Sequence, residues 1–223
     1  MEALGLVSNL ALAMVVTSLL AVELIRLRAA AYAYLAQALL LVAIFFSFAV
    51  ATNNEWLYVW GLVALVTKAT LIPYLIFAYL RRTGVTEERR PLVPFAPSVA
   101  IACVLMVTFY KVVHTHVHFL APTEVATGEP YRSNLAVALT IFTLGLYGMV
   151  SRRDAIKSVL ALCLLENGVH LSLVSLAPFM PEMPIIGIVT EVFVAVWMLL
   201  YVVGGIREQF DSTDATMLSE LRG

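Results

Sequence analysis

Long apolar runs, broken by short clusters of charged and turn-forming residues, extend along almost the whole chain. Seven are long enough to cross a bilayer, at residues 3–25, 31–50, 56–80, 94–113, 134–150, 155–177 and 184–206. A crossing takes about 20 apolar residues at a rise of about 1.5 Å each. In lipid a segment must satisfy its own backbone polar groups, so each run predicts a helix and not an isolated strand. The pattern therefore predicts an all-α integral membrane fold of about seven transmembrane helices, the fifth being the shortest.

The breaks between runs fall into two alternating kinds. Basic residues mark one kind: Arg26 and Arg28; Arg81, Arg82, Arg89 and Arg90; Arg152, Arg153 and Lys157; then Arg207 and Arg222 after the last run. The other kind is poor in Lys and Arg: TNNE before Trp56, the 114–133 stretch with Arg132 alone, and APFMPEMP. Cytoplasmic loops carry the excess of Lys and Arg. Seven spans with the N-terminus outside and the C-terminus inside satisfy that rule at every loop, and an even number breaks it. The longest connection, 114–133, carries Pro122, Gly128 and Pro130 and divides the chain. On this reading, 1–113 is a four-helix membrane part, 114–133 an outer connection, 134–206 a three-helix part and 207–223 a cytoplasmic tail. The two parts share a pattern. RLRAAAYAYLAQALLL followed by LVTKATLIPYLIFAYLRR overlays SRRDAIKSVLALCLLENG followed by IVTEVFVAVWMLLYVV, with Lys68 on Glu191 and Gln37 near Glu166.

Composition agrees with a membrane protein and removes other classes. Of 223 residues, 61% are hydrophobic and 13% charged, against about 25% charged in soluble domains. A net charge of −1 gives no electrostatic case for nucleic acid. The first run follows Met1-Glu2 without a basic leader or an A-x-A-like site, which predicts a retained helix and not a cleaved signal. Cys103 and Cys163 lie in separate apolar runs and read as small core residues.

Charge inside the runs is where chemistry enters. Glu166, in LALCLLENGVHLSLV, and Glu191, in IIGIVTEVFVAVWMLL, carry the only charge of their segments' central stretches. An ionised group at the bilayer centre costs about 2.5–3.5 kcal/mol or more, so such residues seldom persist without a use. Away from water a carboxyl favours its neutral form and can accept and release protons. His170, four residues beyond Glu166, shares its helical face and makes a second proton station. Asn167 and Gly168 beside them read as a polar partner and room for water. Lys68, in VTKATLIP, sits too deep to snorkel easily, and Pro73 five residues on frees the Ala69 carbonyl, which marks a kink or a hydrated site. A buried lysine exchanges protons or holds a carboxylate ionised as counter-charge. For each of these groups the competing account is an interhelical hydrogen bond or ion pair that sets register. Glu23 beside Arg26 reads as an interfacial salt bridge. His114, His116 and His118 in HTHVH lack companion ligands and read as polar interfacial residues. GLYG at 145–148 and Gly204-Gly205 read as close helix contacts. No phosphate loop, nucleophile–base pair or haem-ligand pair is evident, so no catalytic, cofactor or metal residue is assigned, and the chain is not expected to run redox chemistry alone.

From about residue 134 onward the chain resembles subunit K of NADH–quinone oxidoreductase and its relative, the C subunit of multisubunit cation/proton antiporters. The resemblance rests on SRRDAIKSVL as a basic inner loop, on a glutamate in LLENGVHLSLV and on another in IVTEVFVAVWMLL. The short tail ending SELRG is also similar. With its added N-terminal helices, the whole chain resembles component E of hydrogenase-4 and formate hydrogenlyase complexes. The resemblance implies an accessory, non-catalytic subunit of an energy-converting complex in the inner (cytoplasmic) membrane. Its partners would be antiporter-like membrane subunits and a [NiFe] hydrogenase or related peripheral arm. Glu166 and Glu191 would then lie on the central polar axis along which such complexes pass protons. Two departures qualify the match to subunit K: Glu166 stands about one helical turn farther beyond the arginine pair, and the gap between the glutamates is shorter. A one-turn displacement keeps the helical face. Lys68 has no counterpart in subunit K. The alternatives are a purely structural anchoring subunit and a subunit of a multisubunit cation/proton antiporter.

Overall fold

Every named element among the described residues is helical. The structure is a computed structural model that describes residues 2–88, 93–120 and 127–177, together with Gly187, Val194, Trp197, Met198 and Gly205. In chain order the elements are α1 (Glu2–Glu23), α2 (Leu27–Thr52), α3 (Glu55–Val66), a π-helical turn (Thr67–Leu71), α4 (Ile72–Thr83), α5 (Phe95–Leu120), α6 (Tyr131–Ser151) and α7 (Ala155–Leu176). Six stretches of these helices are long and apolar enough to cross a membrane, α3, the π turn and α4 forming one continuous stretch, Glu55–Thr83. The chain is thus a multi-pass membrane protein. The seventh span at 184–206 and the tail at 207–223 lie outside the described residues, apart from single positions within the span.

Turn chemistry places the helix ends. Asn53 adopts a left-handed backbone (φ 51°) and its N–H bonds the Ala49 carbonyl, closing α2. The next residue, Asn54, caps α3 by accepting from the Trp56 N–H at 3.0 Å. The polar string TNNE is thereby a tight turn between two spans. Asp154 caps α7 in the same manner, accepting from Ile156 N–H at 2.9 Å and Lys157 N–H at 3.3 Å. The apolar pattern marks α6 too short. That helix has 21 residues, because its first turn is built from the polar Tyr131, Arg132 and Ser133. α5 likewise continues through HTHVH, with a break in helical geometry at His116.

α6 and α7 approach most closely through glycine. A Cβ on Gly145 would lie 2.6 Å from the Leu165 backbone nitrogen, and one on Gly168 would lie 2.6 Å from the Phe142 nitrogen. Gly148 faces Ala161 in the same seam. The space beside Gly168 is therefore filled by the α6 backbone, not by water as the sequence suggests. Gly204 lies outside the described residues. Cys163 is buried as expected, whereas Cys103 is exposed on α5.

Apart from a small cluster of Val113, Leu135 and Ala136, the apolar core of the described residues has two layers. One gathers Leu27, Tyr34 and Ala38 of α2 with Ile72, Ile76 and Leu80 of α4 and Ile156, Leu160 and Leu164 of α7. The other gathers Leu41, Phe45 and Phe48 of α2 with Leu57 and Trp60 of α3 and Leu171 and Val174 of α7. Between them, on the same helices, lie Gln37, Lys68, Asn167 and His170, all buried. Outward-facing Leu12, Val16, Leu39, Leu62, Val66, Val104 and Val107 are exposed, as suits a surface in contact with lipid or other membrane subunits.

Candidate functional site

The geometry of the polar layer starts with a helix defect. Pro73 has no N–H to give the Ala69 carbonyl, so the ordinary ladder fails there. The chain answers with the π turn: Ile72 N–H bonds Thr67 O, and Thr70 Oγ1 donates to Leu65 O at 2.9 Å, both five residues back. Such turns collect at functional positions. Lys68 lies inside this one with 1% of its surface exposed.

Its ammonium group is held by α7. Lys68 Nζ donates to Asn167 Oδ1 at 2.8 Å and lies 3.1 Å from His170 Nδ1. A lysine ammonium only donates, so it must face the Asn167 oxygen and thereby fixes that amide's orientation. Asn167 Nδ2 then donates to Gln37 Oε1 at 2.5 Å. Gln37 Nε2 donates to Ser18 Oγ at 3.1 Å, and Ser18 passes its hydrogen to the Met14 carbonyl at 2.6 Å. One cation thus orients a run of donors through α7 and α2 to α1. The Glu166 side chain is 8% exposed, next to Asn167 in sequence, and its main-chain oxygen lies 2.7 Å from His170 Nδ1. Of the sequence candidates, Lys68 and His170 meet across 102 positions, and Glu166 lies one helical turn from His170 on the same helix. The fourth, Glu191, lies outside the described residues.

A second polar cluster occupies the end of the bundle where the basic connections meet. Residues 25–27 and 86–88 are joined by Leu27 N–H to Thr86 O at 3.0 Å and Glu88 N–H to Ile25 O at 2.9 Å. This bridge carries Glu88 beneath the helices. Its carboxylate lies 3.6 Å from Arg152 Nη1 and 3.9 Å from Lys157 Nζ, while Arg152 Nη2 pairs with Glu23. Glu23 thus bridges to Arg152 and not to its sequence neighbour Arg26, which instead faces Glu87 on the surface at 3.8 Å. Arg26 is exposed, whereas Arg152 is buried against the end of α1. Lys157 also donates to the Ala21 and Val22 carbonyls at 2.9 Å each, satisfying the last turn of α1. Burial pushes the Glu88 carboxyl above its ordinary value, against the pull of Lys157 and Arg152.

At the opposite end, Glu129 accepts from Arg132 Nε at 3.1 Å and Ser133 N–H at 3.3 Å and pairs with His114 Nε2 at 3.1 Å. Partial burial raises its carboxyl, but these hydrogen bonds outweigh that and hold it below the usual range. Among the described residues no group of three or more His, Cys, Asp or Glu has metal-binding geometry.

With this geometry in place, comparison with known proteins becomes specific. The chain is 32% identical over 219 residues to hydrogenase-4 component E of Escherichia coli (strain K12), covering 98% of both chains. The chain belongs to the hydrogenase-4 component E family. Residues 133–223 also match the family of NADH-ubiquinone/plastoquinone oxidoreductase chain 4L. The chloroplastic NAD(P)H-quinone oxidoreductase subunit 4L of Nephroselmis olivacea is 33% identical over 64 residues, 29% of this chain and 63% of that one. No solved structure matches. The chain 4L match covers α6 from Ser133 onward and all of α7, hence Glu166, Asn167 and His170. Lys68, Gln37 and Ser18 come from the helices that precede it. Sequence reasoning passed over Ser18 and Glu88. Ser18 is a small hydroxyl in an apolar run, and Glu88 stands in a charged connection, so neither carries a local signal of its buried contacts.

Proposed function

We propose that this chain is an accessory membrane subunit of an energy-converting, complex I-like hydrogenase assembly, set in the cytoplasmic membrane by seven spans. The basic end faces the cytoplasm, with the N-terminus outside and the C-terminus inside. Lys68, Glu166, His170 and Glu191 contribute to a lateral proton path between antiporter-like membrane subunits, while a [NiFe] hydrogenase arm supplies the redox chemistry. The observation that carries this reading is the buried Lys68 held 2.8 Å from Asn167 and 3.1 Å from His170, one helical turn from Glu166. Such groups are costly inside a membrane and seldom persist there without a use in ion or proton movement. Family membership and the chain 4L match over the segment containing both glutamates support the same assignment.

The test is proton translocation by the purified, assembled complex. Glu166→Gln and Glu191→Gln are expected to abolish or sharply reduce coupling while the complex persists on native gels. Normal coupling in both single variants and the double variant overturns the relay. The bonds that tie α1, α2 and α7 through Ser18, Gln37 and Asn167 favour a second reading, an anchoring subunit whose polar groups set register. On that reading the glutamate variants lose complex yield instead of coupling. Mass spectrometry of co-purified subunits separates a hydrogenase complex, which brings a [NiFe] large subunit, from a cation/proton antiporter.

A further inference from the structure

One nitrogen of His170 faces two groups with opposite demands. Nδ1 lies 2.7 Å from the Glu166 main-chain oxygen, which can only accept a hydrogen. The same Nδ1 lies 3.1 Å from Lys68 Nζ, which as an ammonium can only donate one. An imidazole nitrogen either carries a proton or offers a lone pair, so it serves one neighbour at a time. When Lys68 donates, Nδ1 is bare and a neutral ring carries its proton on Nε2. When Nδ1 carries the proton, it donates to Glu166 O, and Lys68 faces it as a neutral amine. Neither arrangement orphans the carbonyl, because inside α7 the His170 backbone N–H already bonds it.

The other side of Lys68 does not alternate in this way. Asn167, Gln37 and Ser18 form a run of donors fixed in direction, ending on the Met14 carbonyl. Amide N–H groups are far too weak as acids to hand a proton on, so this arm anchors the ammonium and the exchangeable contact is the one with His170. The π turn sets Lys68 between the two arms.

Building on the proton-path assignment, we infer that Lys68 and His170 exchange one proton through Nδ1, so that the charge on Lys68 is written into the tautomer of His170. In the forward step a Lys68 N–H bond breaks, its electron pair stays on the amine, and an Nδ1–H bond forms. The imidazolium then releases its Nε2 proton to a carboxylate or water. The ring is left neutral, with Nδ1–H bonded to Glu166 O. The net change is one proton moved from Lys68 to the acceptor on the Nε2 side, and the reverse sequence restores the start. Glu166 takes part here through its main-chain oxygen, which holds the delivered state of the ring.

Nitrogen-15 NMR of the full-length chain in lipid nanodiscs, with ring-labelled histidine and His170 assigned by His170→Gln, reads the tautomer directly. Lys68→Met removes the donor and is expected to lock the proton on Nδ1. Lys68→Arg supplies a donor that never gives up its proton and is expected to lock Nδ1 bare. The wild type falls between these limits. The same tautomer in both variants overturns the inference. Should neither variant fold, a wild-type Nδ1 signal fixed at either limit overturns it as well. In the assembled complex both Lys68 variants are expected to lose proton translocation, and full translocation by Lys68→Arg rejects the exchange even if the tautomers diverge. Failure of the wider proton-path assignment looks different: normal coupling in the Glu166 and Glu191 variants, with the Lys68-dependent tautomer shift intact.

Discussion

The two buried polar regions of this protein differ in what surrounds their charge. At the basic end, Arg152 and Lys157 face the carboxylates Glu23 and Glu88, and residues 86–88, just after α4, complete the set. At mid-span, Lys68 bonds Asn167 and approaches His170, groups that carry no fixed charge. The first arrangement neutralises charge where it stands, so moving a proton out of it unbalances a buried cluster. The second surrounds a cation with dipoles and a titratable ring, so a proton can change place without leaving two opposed charges stranded. Cross-linking connections suit the first, and exchange suits the second.

The largest expected effect breaks the first region. Arg152→Met takes the buried Glu23 from its cation and leaves Glu88 with Lys157, and removing one partner from such a pair typically costs about 3–5 kcal/mol. Thermal unfolding in detergent should show a large loss, with poor recovery of the assembled complex. A Tm close to wild type would mean that the basic end is not a latch. Next comes the seam that carries the second region. Gly168→Ala places a Cβ 2.6 Å from the Phe142 nitrogen, a backbone atom that cannot swing aside. Overpacking of this kind costs about 1–3 kcal/mol. The α6–α7 pair should loosen, seen as faster hydrogen exchange on both helices, and unchanged exchange would contradict the tight seam. A smaller effect tests the anchoring arm of the layer itself. Gln37→Leu removes one interhelical partner of Asn167, which in a membrane is worth about 0.6 kcal/mol on average and about 1.7 at most. The expected Tm change is correspondingly modest. A loss as large as that for Arg152→Met would erase the distinction between the two regions.

Sequence made these regions unequally legible. Glu166, His170 and Lys68 stood out because a charge or imidazole in an apolar run is costly, and that cost is visible one helix at a time. Their meeting is not local: Lys68 and His170 are 102 positions apart, and only the packing of α7 on the π turn joins them. The basic end was legible as loops alone. The alternation of basic and neutral breaks anticipated which connections share an end, and the bridge between residues 25–27 and 86–88 places two of them together. Which carboxylate would meet which cation was hidden, since Glu23 lies beside Arg26 in sequence yet pairs with Arg152 in the fold. Gly168 shows the opposite error. A small residue beside polar ones reads equally as space for water or as a seat for a neighbouring backbone, and only the neighbour decides.

The smallest effect sharpens the comparison through pH. The Glu88 carboxyl is held above its ordinary value of 4.5, chiefly by burial, so the folded chain binds that proton more tightly than the unfolded chain does. Its contribution to stability is therefore fully present below about 4.5 and is lost as pH rises through the higher folded value. Glu129 has the opposite sign: held below 4.5, it contributes above that pH and loses its contribution on acidification through the lower folded value. The two windows lie on either side of the same pH, so a single substitution separates them. Glu88→Gln keeps the shape of the side chain and removes its titration. The wild-type Tm minus that of the variant should decline as pH rises above 4.5, and the acid limb governed by Glu129 should stay in place. A difference that is flat through that window would show that the latch holds Glu88 as an ordinary, comfortably ionised partner of Arg152 and Lys157. In that case burial, and not the opposing cations, would be the weaker influence at the basic end.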